Sequence, residues 1–297
     1  MGDYRPVKYF PMGFFKDADE PVICGDFIVF VQNIYNGTRI VIYNIVSGKM
    51  ETVVMENKLC FNLHSENNCI AFEFAGIRHG IGVIFLDTLE TFEYTNAEQD
   101  ILFGGIWNKC LIYRDAHNIF LLHMENKSKD ALAYCHNVLG PPAVGYGTCA
   151  WLQLYKEKSC IIFYDILKNK ILVLSSPGFI NRICAVGRYI VYQSCFNNKC
   201  VIYKYDIGNG RLESIFEKSG WIELYEGKDD KIIFTVRKQF GEEYLFDLWI
   251  YNLKDDEASK ILSDYRNLVI PAVSDKVLLL IAAKEKGDDV SFMEYGP

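Results

Sequence analysis

Short apolar runs alternate with turn formers along the whole chain, and residues 187–216 show the unit most plainly. Gly187-Arg188 reads as a turn and Tyr189 to Cys195 as a strand. Phe196-Asn197-Asn198-Lys199 is a hairpin loop, and Cys200 to Asp206 is a second strand. Gly208-Asn209-Gly210 then turns the chain into Leu212 to Phe216. Runs this short, rich in Val, Ile, Tyr and Phe and bounded by Gly and Asn, predict β-strands rather than helices.

The same unit recurs seven times. Its second strand opens as Phe27-Ile28-Val29-Phe30, Cys69-Ile70-Ala71-Phe72, Cys110-Leu111-Ile112-Tyr113, Cys149-Ala150-Trp151-Leu152, Tyr189-Ile190-Val191-Tyr192, Lys231-Ile232-Ile233-Phe234 and Lys276-Val277-Leu278-Leu279. A spacing of about 41–42 residues is that of a four-stranded propeller blade. The pairs Gly25-Asp26, Asn67-Asn68, Asn108-Lys109, Gly147-Thr148, Gly187-Arg188, Asp229-Asp230 and Ser274-Asp275 precede these strands, and most hold a residue that turns readily. The third strand ends at Asn44, Asp87, Glu125, Asp165, Asp206 and Asn252, mostly side chains that start a turn by bonding the backbone two residues on.

Each unit therefore reads strand A, tight turn, strand B, hairpin loop, strand C, turn, strand D. Strand A often carries small residues, as in Phe103-Gly104-Gly105-Ile106 and Cys184-Ala185-Val186-Gly187, which suits crowding around an axis. The seventh unit lacks a strand D, and Arg5 to Phe10 is a spare strand at the start. The expectation is an all-β, seven-bladed β-propeller of four-stranded antiparallel blades. It forms a single domain over residues 1–297, with the N-terminal strand closing the ring against Val290 to Glu294.

The copies ending in Ile-Phe-Tyr-Asp165, Ile-Tyr-Lys-Tyr-Asp206 and Trp-Ile-Tyr-Asn252-Leu resemble the repeats of TolB-like propellers and of the propeller domains of prolyl-oligopeptidase relatives. The resemblance spans nearly the whole chain at the level of the repeat. It departs at the A–B turn, where a Pro-Asp-Gly type sequence is common in those families and none occurs here, and it includes no hydrolase domain. It implies fold, not activity.

Composition narrows the partners. Half of the 297 residues are hydrophobic, enough for a large core, and the net charge of −7 disfavours a phosphate backbone as ligand. The start, MGDYRPVKYFPMGFF, lacks the apolar stretch of a signal peptide, and the longest apolar run, Val277 to Ala283, is too short to span a bilayer. These features predict a cytoplasmic, monomeric ring with no membrane insertion and no nucleic-acid partner. The ten Cys form no CxxC pair and read mainly as small buried apolar residues. Cys195 and Cys200 flank a four-residue loop and could be thiols or a disulfide. The latter requires an oxidising compartment or a thermophile's cytoplasm.

No nucleophile elbow, HExxH, P-loop, Trp-Asp repeat or Asp-box occurs, and no metal or cofactor is expected. One constellation could still carry acid–base chemistry: His79 and His117 in B–C loops of the second and third repeats, with Glu98 and Asp100 in the connection between them. Aromatic residues in B–C hairpins mark a different site. Tyr35, Phe196, Phe240 and Tyr244 would display apolar surface to a protein partner. The sequence favours a non-catalytic interaction scaffold; its alternative is a hydrolase- or lyase-type enzyme with its site at the mouth of the central channel.

Overall fold

The computed structural model describes residues 6–9, 18–95, 101–155, 158–176, 178–197, 199–228, 230–240, 243–273, 277–284 and 287–294. Among them every regular element is a strand. The first, β1 (Pro6–Tyr9), belongs to the compact unit that also holds residues 136–297, and residues 11–135 form a second unit.

The 11–135 unit contains three four-stranded antiparallel sheets in chain order. Sheet I is β2 (Ala18–Cys24), β3 (Phe27–Ile34), β4 (Gly37–Asn44) and β5 (Met50–Glu56). Sheet II is β6 (Leu59–Glu66), β7 (Cys69–Ala75), β8 (Gly80–Phe85) and β9 (Thr91–Thr95). Sheet III is β10 (Leu102–Trp107), β11 (Cys110–Arg114), β12 (Asn118–His123) and β13 (Lys129–Tyr134).

The other unit repeats the plan. Sheet IV is β14 (Val138–Gly145), β15 (Thr148–Tyr155), β16 (Lys158–Asp165) and β17 (Lys170–Ser175). Sheet V is β18 (Phe179–Val186), β19 (Tyr189–Phe196), β20 (Lys199–Asp206) and β21 (Arg211–Ser219). Sheet VI is β22 (Ile222–Lys228), β23 (Lys231–Phe240), β24 (Glu243–Asn252) and β25 (Glu257–Tyr265). The last strands, β26 (Asn267–Val273), β27 (Val277–Lys284) and β28 (Gly287–Glu294), pair in the order β1-β28-β27-β26. Lys8 stands opposite Phe292 and Tyr9 opposite Ser291.

Local chemistry explains the turns. Gly25, Asn67, Asn68, Asn108, Lys109 and Gly187 all take positive φ between first and second strands, as two-residue hairpins of this hand require. In sheet IV the turn is Tyr146-Gly147, one residue earlier than Gly147-Thr148, because Gly147 takes the left-handed second position and Thr148 already pairs with Gly145. The Asx column holds at four places: Asn44, Asp165, Asp206 and Asn252 each accept backbone N–H bonds two or three residues on, at 2.8–3.2 Å.

The second strands of sheets II and V are buried on both faces, because the sheets on either side cover them. Ile28 to Val31, Ile70 to Phe74 and Tyr189 to Ser194 are continuous buried runs, whereas the fourth strands alternate exposed and half-buried residues. In sheet II, Phe72 and Phe74 lie opposite Gly82 and Gly80. A Cβ at those glycines would come within 2.4 and 2.6 Å of the two rings, so the absent side chains make room for the aromatics. First strands meet at small residues, as expected: a Cβ on Gly145 would sit 2.7 Å from the Ala185 backbone, and one on Gly227 2.5 Å from Val186.

Candidate functional site

Sheet II assembles a polar cluster around a buried carboxylate. Glu73 is the fifth residue of β7 and only 2 % exposed, since the adjoining sheets cover both faces of that strand. Its Oε1 accepts the Asn62 side-chain amide at 2.7 Å and the Phe103 N–H at 2.9 Å. Asn62 also donates to the Phe103 carbonyl at 2.9 Å. Both amide hydrogens thus go to acceptors, so Asn62 Oδ1 receives the Nε2–H of His64 at 3.0 Å. Burial pushes the His64 imidazole down to about 4, which keeps this ring neutral near pH 7. Its edge meets the Phe103 ring at 5.1 Å. Glu73 Oε2 lies 3.3 Å from His79 Nε2, and the His79 ring stacks on Phe61 at 5.9 Å.

A backbone irregularity brings Asn62 into this cluster. The β6–β7 register shifts between Phe61 and His64, and Asn62 has φ +53 within that bulge. The extra residue turns Asn62 toward Glu73, a placement that strict alternation would not supply. Comparable shifts interrupt the pairing of first and second strands in every sheet, for example between Asp19 and Val22 and between Leu224 and Gly227.

Of the four acid–base candidates, His79 joins this cluster. His117 lies in the β11–β12 turn, where Asp115 Oδ1 accepts its backbone N–H at 2.9 Å and its ring stacks on Tyr134 at 6.2 Å. Glu98 and Asp100 lie outside the described residues. Glu73, Asn62 and His64 were not singled out from sequence as a site. The readable signal was a charged residue inside an otherwise apolar second strand, Cys69-Ile70-Ala71-Phe72-Glu73-Phe74. Among the described residues no group of three or more His, Cys, Asp and Glu could hold a metal ion, and no helix is long and apolar enough to cross a membrane.

The aromatic candidates stand out from the surface. In the 11–135 unit Tyr35 is fully exposed in the β3–β4 turn. In the other unit Phe196 is 62 % exposed at the end of β19, and Tyr244 is exposed in β24 with the Arg237 guanidinium 4.5 Å over its ring. The side chain of Phe240 lies outside the described residues. The sequence reading missed their companions. Tyr155 is 61 % exposed at the end of β15, and Leu139, Phe179 and Trp221 are exposed at or beside the starts of β14, β18 and β22. First strands begin at the edge where second strands end, as the pairing of Phe179 with Cys195 shows. Sheets IV and V thus carry exposed apolar residues on their first and second strands at this edge, and sheet VI carries Tyr244 on its third strand with Trp221 beside its first. The missed signal was positional: Tyr155, Phe196 and Tyr244 each border the hairpin between second and third strands.

Cys195 and Cys200 oppose each other across β19 and β20 with Cα atoms 4.2 Å apart, and they form a disulfide. It staples the hairpin that displays Phe196. Of the two states open to these cysteines the structure shows the bonded one, which persists in an oxidising compartment or a thermophile's cytoplasm.

The sequence matches no family model and no curated protein. Solved structures do resemble it. The β-propeller domain of the Trilobed protease from Pyrococcus furiosus aligns with a TM-score of 0.67 at 15% identity, over 94% of this chain and 95% of that one. An oligogalacturonate lyase from Vibrio parahaemolyticus aligns at 0.64 and 13% identity, over 92% and 87% of the two chains. Acylaminoacyl peptidase from Pyrococcus horikoshii aligns at 0.64 and 15% identity over 96% of this chain, which spans 54% of the peptidase. At such identities the likeness shows the fold alone, that of a β-propeller.

Proposed function

We propose that the chain is a seven-bladed propeller, its ring closed by β1, that acts as a protein-interaction scaffold. The observation that carries this reading is the edge of sheets IV to VI. There Tyr155, Phe196 and Tyr244 recur at equivalent hairpins, with Leu139, Phe179 and Trp221 beside them. Exposed aromatics set singly are ordinary, whereas a repeated column of them is the composition of an interface core. Tyr and Trp are also the residues that dominate binding energy when a partner covers them. The disulfide and the Arg237–Tyr244 contact hold two members of the column in place before binding, which lowers the ordering cost of association.

The triple variant Tyr155→Ala/Phe196→Ala/Tyr244→Ala tests the reading. Quantitative capture from native extract should give a reproducible partner with the parent protein and at least about a tenfold weaker signal with the variant. The substituted side chains are exposed, so the melting temperature should barely change. Equal capture by both proteins would show that this edge is not the binding surface.

A further inference from the structure

The aromatic edge of sheets IV to VI carries charge as well as apolar surface. Its carboxylates are already engaged: Glu217 pairs with Lys199 at 2.7 Å, Glu243 with Arg266 at 3.3 Å and Asp264 with Lys238 at 3.3 Å. Asp247, 1 % exposed, is shared by Lys238 and Lys260 at 2.6 and 3.0 Å. Glu223, further in along β22, accepts the Tyr225 hydroxyl at 3.4 Å. Three exposed cations of the edge then have no carboxylate partner among the described residues: Lys158 opposite Tyr155, Lys218 opposite Cys200, and Arg237. A chain of net charge −7 thus presents its exposed aromatics in a locally positive setting.

Arg237 is the most closely defined of the three. Its backbone N–H donates to the Trp221 carbonyl at 2.9 Å, which fixes β23 beside the start of β22. Its guanidinium lies 4.5 Å over the Tyr244 ring and 5.9 Å from the centre of the Trp221 ring. A guanidinium resting on aromatic faces keeps its in-plane N–H donors available, and a fork of this kind binds a carboxylate through two parallel hydrogen bonds. Trp221 and Tyr244 are 41 % and 48 % exposed, so they offer apolar surface directly beside that charge.

We propose, resting on the reading of this edge as a docking surface, that its occupant is an acidic segment of a protein partner, in which Asp or Glu side chains stand beside Leu or Phe. Arg237 holds one carboxylate, and the adjoining apolar side chain of the partner lies against Trp221 and Tyr244. Lys218 and Lys158, on sheets V and IV, meet further carboxylates, with Phe196 and Tyr155 covering the apolar positions between them. The first strand of sheet V packs against sheet IV and that of sheet VI against sheet V, so the three cations belong to one continuous edge. Aromatic side chains also stack on nucleic-acid bases, but a body of net charge −7 repels a strand with a phosphate at every nucleotide.

Fluorescence anisotropy with a labelled peptide of repeated Glu-Leu-Asp-Phe tests the assignment. The controls are the same peptide with Gln and Asn in place of Glu and Asp, and an oligothymidylate of equal length. The acidic peptide should bind at least about tenfold more tightly than the amide peptide, and added salt should weaken it. Arg237→Gln should cost at least about fivefold in affinity and Lys218→Gln less, both with melting temperatures close to the parent's because the side chains are exposed. If the amide peptide binds as well as the acidic one and the triple aromatic variant loses both, the acidic partner falls while the docking surface stands. An acidic peptide that the triple variant binds undiminished would place its site elsewhere and overturn the docking surface as well. Tighter binding of the oligothymidylate, unchanged affinity in Arg237→Gln, or no binding of the acidic peptide would each overturn the acidic partner.

Discussion

Removing residues 1–10 is expected to lower stability by on the order of 4 kcal/mol and to make the protein prone to association. The strand lost is β1, which covers β28 through the pairs Pro6–Met293, Lys8–Phe292 and Tyr9–Ser291. A strand of this length makes roughly four ladder bonds, each worth about 1 kcal/mol net. Its loss leaves a row of unpaired N–H and C=O groups along β28, which is a template for another chain. Thermal unfolding and light scattering of the truncated protein check both effects. An unchanged melting temperature would remove the physical ground for closure of the ring by β1.

Acidification should weaken the protein through His64. Burial lowers its imidazole from 6.5 to about 4. Between those values the unfolded chain binds a proton that the folded chain refuses, so stability is full above pH 6.5 and falls as the pH drops toward 4. The shift corresponds to about 2–3 kcal/mol when the residue's partial solvent contact is allowed for. Other groups titrate in the same range, so the comparison is with His64→Gln, which can still donate to Asn62. Chemical denaturation at pH 7 and pH 4.5 should show a loss in the parent about 1.5 kcal/mol or more larger than in the variant. Equal losses would mean that the His64 ring is protonated in the folded protein without cost.

The two sites rest on different physics. The aromatic edge is a surface of side chains already in place, and its effect is to lower the cost of ordering on association. The Glu73 cluster is buried, with one carboxylate oxygen bonded to Asn62 and the Phe103 N–H and the other facing His79. One lies in the 11–135 unit and the other in the remainder of the chain.

The amino-acid sequence alone determined the elements and their order. Tight turns need left-handed residues, and Gly25, Asn67-Asn68, Asn108-Lys109 and Gly187 mark them without reference to any distant part of the chain. Asn44, Asp165, Asp206 and Asn252 start turns by bonding to backbone within three residues, a contact equally local. Strand period and repeat length follow from the same short-range rules, so the all-β plan was readable. Tertiary structure decided what the residues do. Glu73 becomes a buried charge only because neighbouring sheets cover both faces of β7, and Asn62 reaches it only through a bulge that strict alternation does not predict. Cys195 and Cys200 could be thiols or a disulfide until the register of β19 and β20 placed them opposite each other. Exposure of Tyr155 and Phe179 depends on how sheets IV and V are stacked, a contact between residues far apart in the chain that no local pattern encodes.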